Sequence, residues 1–267
     1  MRLNFKTKPI MKKSVLLSVI MMIAVLGAAY AQEAPEKKGR RPSATFIKDP
    51  CQGSRLNFGV TFAPAFDWMY ARTPGYSKSG VVLGARYGVN LNVNLTEKKS
   101  YYFSTGLFVE HCGGKMRFLD NIPVGSLGIA DSTQTMRTYR SIYLTVPTAI
   151  TLKTGSINNF FVCGNVGLLH SFNLKATNTD SYLIGGEMWS REKQDSHEAS
   201  VLKESLIAGL GFEYSVTPNM RAGVMVNYVH GISNYFKGKG KAPNGLSGAD
   251  QRANLGYVEI ALNINFF

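Results

Sequence analysis

The chain has 267 residues, with 30 Lys and Arg against 17 Asp and Glu, and it is rich in Gly (27), Phe (15) and Tyr (13). Its three cysteines, Cys51, Cys112 and Cys163, fall in separate segments without metal-ligand spacing, so neither a disulfide framework nor a metal site is expected, and no cofactor motif is present. The basic residues do not line an aromatic-interleaved groove, which argues against a nucleic-acid partner.

The N-terminus predicts export. Lys12 and Lys13 precede an apolar run over 15–29, and Ala29-Tyr30-Ala31 has the small-x-small form of a signal-peptidase site, so residues 1–31 read as a signal peptide cleaved before Gln32. The apolar run falls short of the ~20 residues a spanning helix needs. Met11 is an alternative start, since the residues from Met11 onward already make a complete signal peptide. The absence of Cys after the cleavage site argues against a lipoprotein. Five of the basic groups lie within residues 1–31, which leaves the mature chain moderately basic, as expected of a solvated surface or of contact with anionic lipid. Residues 32–54 are rich in Pro, Lys, Arg and Glu without periodicity and read as a flexible periplasmic segment.

From residue 55 to 267 the pattern has a period of two. It is plainest over 81–95, where apolar or small residues (Val81, Leu83, Ala85, Tyr87, Val89, Leu91, Val93, Leu95) alternate with mostly polar residues and Gly. Such a stretch is too long for a small soluble sheet, whereas a tilted bilayer-crossing strand needs about 9–11 residues. The same alternation recurs over 55–68, 101–112, 141–153, 160–172, 205–216, 220–230 and 255–266, which predicts eight strands. Connections after the second, fourth and sixth are short, and those after the first, third, fifth and seventh are long. The expected fold is therefore all-β, an eight-stranded antiparallel transmembrane β-barrel with short periplasmic turns and long extracellular loops. Aromatic residues near strand ends, among them Trp68, Tyr70, Tyr101, Tyr228 and Phe266, read as interfacial girdles.

A soluble barrel or sandwich would bury the apolar face and wet the polar one. Here the polar face carries Gly and Asn with charges of both signs, and an eight-stranded interior is just wide enough for side chains to fill. Charges inside it must pair, so a lumen network is expected in which Arg86 and Arg221 meet two or more of Glu110, Glu213 and Glu259. That network makes an open pore improbable. His111, His170 and His230 lie at outer strand ends, but His170 and its neighbour Ser171 face opposite sides, as do Glu110 and His111. No catalytic residues are assigned, and an enzyme is not expected; a lipid-modifying hydrolase would need a His-x-Ser arrangement on one face.

Tyr143-Leu144-Thr145-Val146-Pro147, followed by Leu152-Lys153, resembles the tyrosine-leucine-x-valine-proline strand of the PorT-type outer-membrane barrels of Bacteroidetes. Tyr101-Tyr102-Phe103 with Thr105-Gly106 and the terminal Asn265-Phe266-Phe267, a C-terminal β-signal, extend the resemblance over residues 55–267. It implies an eight-stranded barrel, and some members are accessory components of type IX secretion and gliding machinery. The expected partners are outer-membrane lipid and lipopolysaccharide, the barrel-assembly machinery that reads Phe266 and Phe267, and secretion-system subunits. The alternative is an autonomous surface barrel that binds lipopolysaccharide or a host ligand through loops such as the Lys-Gly repeat at 237–241.

Overall fold

The structure is a computed structural model that describes residues 55–96, 100–123, 129–155, 157, 159–184, 187–190, 194–195, 198–237 and 252–267. The expected signal peptide, the segment 32–54 with Cys51, and 238–241 of the Lys-Gly repeat lie outside the described residues.

Eight long strands form one antiparallel sheet: β1 (Leu56–Ala71), β2 (Val82–Asn94), β3 (Tyr101–Pro123), β4 (Ile129–Lys153), β5 (Phe160–Ile184), β6 (Leu202–Thr217), β7 (Met220–Gly231) and β8 (Ala253–Phe266). Each pairs with the next in sequence. The last strand returns to the first, with Phe266 opposite Phe58 and Ala253 opposite Ala71. Closure leaves the ring of eight strands without a free edge, so the wall presents no unpaired row of backbone donors and acceptors. Three short strands, Ser77–Gly80, Glu187–Ser190 and Gln194–Asp195, pair with the long ones outside this ring.

The period of two decides which face is which. On β1, Phe58 is 61% exposed while its neighbour Asn57 is 1% exposed. The same inversion runs round the barrel: Leu83, Leu210 and Leu262 are exposed, whereas Arg86, Glu213 and Glu259 are buried. A water-soluble barrel would show the reverse, so the apolar wall is the lipid-facing one. On β4 that wall runs from Leu152 to Ile142, and the ten steps between them at about 3.4 Å each, tilted by ~40°, span about 25 Å, the height of a hydrocarbon band.

The strands are longer than the alternation predicts. Beyond Cys112, β3 stays paired with β4 through Pro123 opposite Ile129, so most of the expected third loop is a two-stranded extension of the barrel. Likewise β5 runs on to Ile184 and Glu187–Ser190 folds back on it, in place of a loop over 175–204. The physical reason is that above the bilayer neither face of a strand needs to be apolar, so the hydrophobic alternation fades while the ladder continues. One irregularity has a lasting effect. Ile142 faces Lys175 but Tyr143 faces Asn173, so Leu174 is an extra residue, a bulge that reverses the in-out alternation of everything after it on β5.

Short turns close the other end, and Asn159 in the β4–β5 turn has a φ of 68°, a left-handed conformation that Asn tolerates. Pro147 sits in the middle of β4 and cannot donate to a ladder. The β3–β4 register skips there, between Ser104 opposite Ala149 and Phe108 opposite Thr145.

Candidate functional site: a filled lumen

Inward-facing side chains fill the barrel in tiers. Nearest the short turns, the ammonium of Lys153 donates to both carboxylate oxygens of Glu213 at 2.8 and 2.7 Å, and Asn265 donates to the same group at 3.1 Å. Beside this pair the Arg221 guanidinium lies between the rings of Phe161 and Phe267, 3.9 and 4.6 Å from their centroids. In the middle tier Arg86 grips Glu259 through Nε and Nη2 while Asn227 donates to Glu259 at 2.7 Å. Farther up, Lys203 holds Glu110, which also accepts from Thr145 at 2.9 Å. Lys203 stands over the rings of Tyr143 (4.7 Å) and Tyr257 (5.6 Å). All six members of the three ion pairs are buried, and each pair joins strands that are not neighbours.

The inward charges expected from the sequence are divided among tiers: Arg86 takes Glu259 as expected, Lys153 takes Glu213 and Lys203 takes Glu110, two lysines that the expected network did not include, and Arg221 lies against two rings. Lys203 had been assigned to a loop. Its parity with Ser205 and Ile207, both buried, was the available signal, and it extends β6 inward-facing by one more step. Which acid faces which base depends on strand stagger and tilt, which no local pattern encodes.

Glycines make this filling possible. A methyl group at Gly209 would stand 1.9 Å from Asn227 Oδ1 and 2.6 Å from Asn165 Oδ1, so a larger residue would displace the amides that line the lumen. What remains open between the lower two ion pairs is a cavity of about 90 Å3 bordered by amides such as Asn90, Asn227 and Asn265 and by apolar side chains such as Phe108, Ile207 and Met225, room for a few water molecules.

The long-loop end is closed by aromatic packing. Tyr235 and Phe236, from the β7–β8 connection, are buried against Tyr139, Tyr143, Met69 and Met116. Ring centroids of Tyr139, Tyr235 and Phe236 lie 5.1 to 5.6 Å apart in edge contacts. The Tyr235 and Ser141 hydroxyls meet at 2.8 Å. Backbone bonds fix the segment: Tyr235 donates to Ala253 at 2.8 Å, and Ser200 donates to Tyr235 at 2.7 Å.

The motif strand divides between the two faces. Tyr143, Pro147 and Lys153 point inward, and Leu144 and Val146 point out. Phe266 packs outside against Phe58 (5.9 Å), whereas Phe267 turns in to Arg221. All three rim histidines face outward: His111 lies on Tyr87 with its Nε2 3.2 Å from the hydroxyl, His230 neighbours Tyr228 and Tyr70, and His170 Nδ1 is 2.7 Å from Glu204. Ser171 faces the lumen and donates to Glu110, accepting from Thr145. Among the described residues no three His, Cys, Asp or Glu side chains gather as a metal would require.

Neither a family model nor a curated protein matches the sequence. Among solved structures the chain is similar to Neisserial surface protein A (12% identity, 79% of this chain and 96% of that one, TM-score 0.31). It is also similar to the attachment invasion locus protein Ail of Yersinia pestis (14%, 80% and 100%, TM-score 0.30). A third is the outer membrane protein OprG of Pseudomonas aeruginosa (11%, 80% and 98%, TM-score 0.34). The barrel assignment rests on the closed strand register and the apolar exterior. Cys112 and Cys163 are both buried as free thiols, Cys112 beneath Lys203 (3.8 Å), and neither takes part in the ion pairs.

Proposed function

We propose that this protein is a non-enzymatic, non-conducting barrel of the Gram-negative outer membrane that serves as a structural or assembly component, engaging partners through its rims. The observation that carries this reading is the lumen itself. Three buried ion pairs and an aromatic plug occupy it from the short turns to the long loops. A barrel filled in this way offers no channel, and with His111, His170 and His230 on the outer wall and Ser171 on the inner one, no paired nucleophile and base stand at the rim among the described residues. An accessory role in a type IX secretion-type machinery is supported by the resemblance of the Tyr143 to Lys153 strand to PorT-type barrels. Insertion by the barrel-assembly machinery is supported by the terminal pair Phe266 and Phe267, of which Phe266 belongs to the closing strand. The test is to purify the tagged full-length protein from native outer membranes in mild detergent. Stoichiometric co-purifying subunits are expected, and a barrel that emerges alone under conditions that preserve other envelope complexes would replace this reading with that of an autonomous surface barrel.

A further inference from the structure

Outward-facing charge is distributed unevenly where the apolar wall ends. On β3 the outer row passes from Val109 to His111, Gly113, Lys115 and Arg117; on β4 it passes from Ile142 to Arg140; on β5 the bulge at Leu174 turns Lys175 outward. The register sets these side chains together. His111, Ile142 and Lys175 lie in one cross-strand row, and Gly113, Arg140 and Thr177 in the next. Arg140 is thus the diagonal neighbour of His111 and Lys115 on one side and of Lys175 on the other, within reach of long side chains, and Gly113 opposite it interposes no side chain. At their base is a cavity of about 200 Å3 lined by His111, Arg140, Lys175 and Thr177 with Val82 and Leu83.

Two observations point to the occupant. Glu110 and Asp180, acidic residues of β3 and β5, are engaged inside the barrel with Lys203 and Arg137, and the register sets Asp195 opposite Thr177, on the side of β5 away from Arg140, so the part of the cluster from Lys115 to Arg140 is the cationic part. Directly beneath and beside it are aliphatic groups open to the bilayer, with Leu83 71% and Leu174 60% exposed. On β6 the outward residue opposite His170 is instead Glu204, paired with it, so the cationic surface is one-sided rather than a uniform belt.

We propose that the outer wall of β3, β4 and β5 at the long-loop rim binds the phosphate of a membrane glycolipid, with Arg140 and Lys115 as its main ligands, Lys175 at the margin, and the acyl chains lying on the apolar wall below. The site rests on the membrane-spanning reading above. Its test is native mass spectrometry of the full-length protein in detergent, titrated with diphosphorylated lipid A, with the same lipid dephosphorylated, and with inorganic phosphate. Wild type should retain the phosphorylated lipid, and the triple variant K115Q/R140Q/K175Q should bind it about a hundredfold more weakly. The control variant R72Q/K237Q/R252Q loses the same charge elsewhere on the rim and should bind within about twofold of wild type. Unchanged binding by the first variant, or equal loss in the second, would overturn the site. Equal retention of the dephosphorylated lipid would overturn phosphate as the recognised group, and displacement by inorganic phosphate at the same concentration would overturn the lipid as its source. Flotation of all three proteins with liposomes checks insertion separately, and wild type that fails to float would overturn the membrane reading and the site with it.

Discussion

Arg86 is the residue on which the lumen's energetics are clearest. Its guanidinium and Glu259 are both buried, so the pair has given up water on both sides, and its net contribution depends on each keeping the other. Arg86→Met would strand the carboxylate with Asn227 as its remaining donor. The expected loss is about 3–5 kcal/mol, read as a lower thermal transition of the detergent-solubilised barrel. Replacing Glu259 by Met as well should restore most of that loss, because the uncompensated charge is then gone. A double variant as unstable as the single one would mean that packing, rather than charge, is what Arg86 supplies. At this scale the sequence was informative about direction and silent about partners. That Arg86, Glu110, Glu213, Arg221 and Glu259 point inward follows from a period of two on strands whose other face is apolar. That Lys203 serves Glu110 across the barrel follows from where β3 and β6 stand on its circumference, which depends on the stagger of all eight strands.

Among elements, β5 is the most revealing. Its lower half obeys the alternation read from sequence, and the extra residue Leu174 then resets it, so that Ala176 and Asp180 face in while Lys175 faces out. Deleting Leu174 should force a choice between turning Lys175 into the space beside Tyr143 and breaking the ladder above Ile142. Either outcome should lower the yield of the compact, heat-modifiable form on a gel by at least about tenfold, since a one-residue slip reverses every side chain beyond it. A deletion variant that folds as well as wild type would show that the bulge is dispensable. The upper parts of β3, β4 and β5 were invisible to periodicity for a related reason. Outward residues such as Gln134 and Thr138 have water rather than lipid as their neighbour, and the inward Arg137–Asp180 pair that joins β4 to β5 there has the composition of a loop and the geometry of a ladder.

For the whole molecule the filled interior predicts electrical silence. Wild-type protein in a planar bilayer should give no single-channel steps. The double variant Y235A/F236A removes the aromatic closure but leaves Lys203, Glu110 and the two lower pairs across the lumen, so it too should remain closed. Adding K203A and E110A still leaves the Arg86–Glu259 and Lys153–Glu213 pairs across the lumen, so current is expected only when those four residues are truncated as well. Discrete steps from wild type would overturn the reading of a plugged barrel. Architecture was legible at this scale because strand count and the alternation of connections agree with the closed ring. Task was not, since partners meet the rims and the rims carry the least periodic sequence.

The pairing of β8 with β1 has a meaning in time as well as in space. Phe266 must lie opposite Phe58, and Phe267 must reach Arg221, before the ring is complete. Phe266 and Phe267 belong to the closing strand and its neighbourhood, and β1 is the first strand of the wall, so the ring can seal only after every intervening segment has been delivered. A chain lacking β8 would leave β1 and β7 each with an unpaired edge and Arg221 without the ring of Phe267. The seam thus works as a proofreading device, in which integrity of the wall is tested by whether its first and eighth strands can find each other.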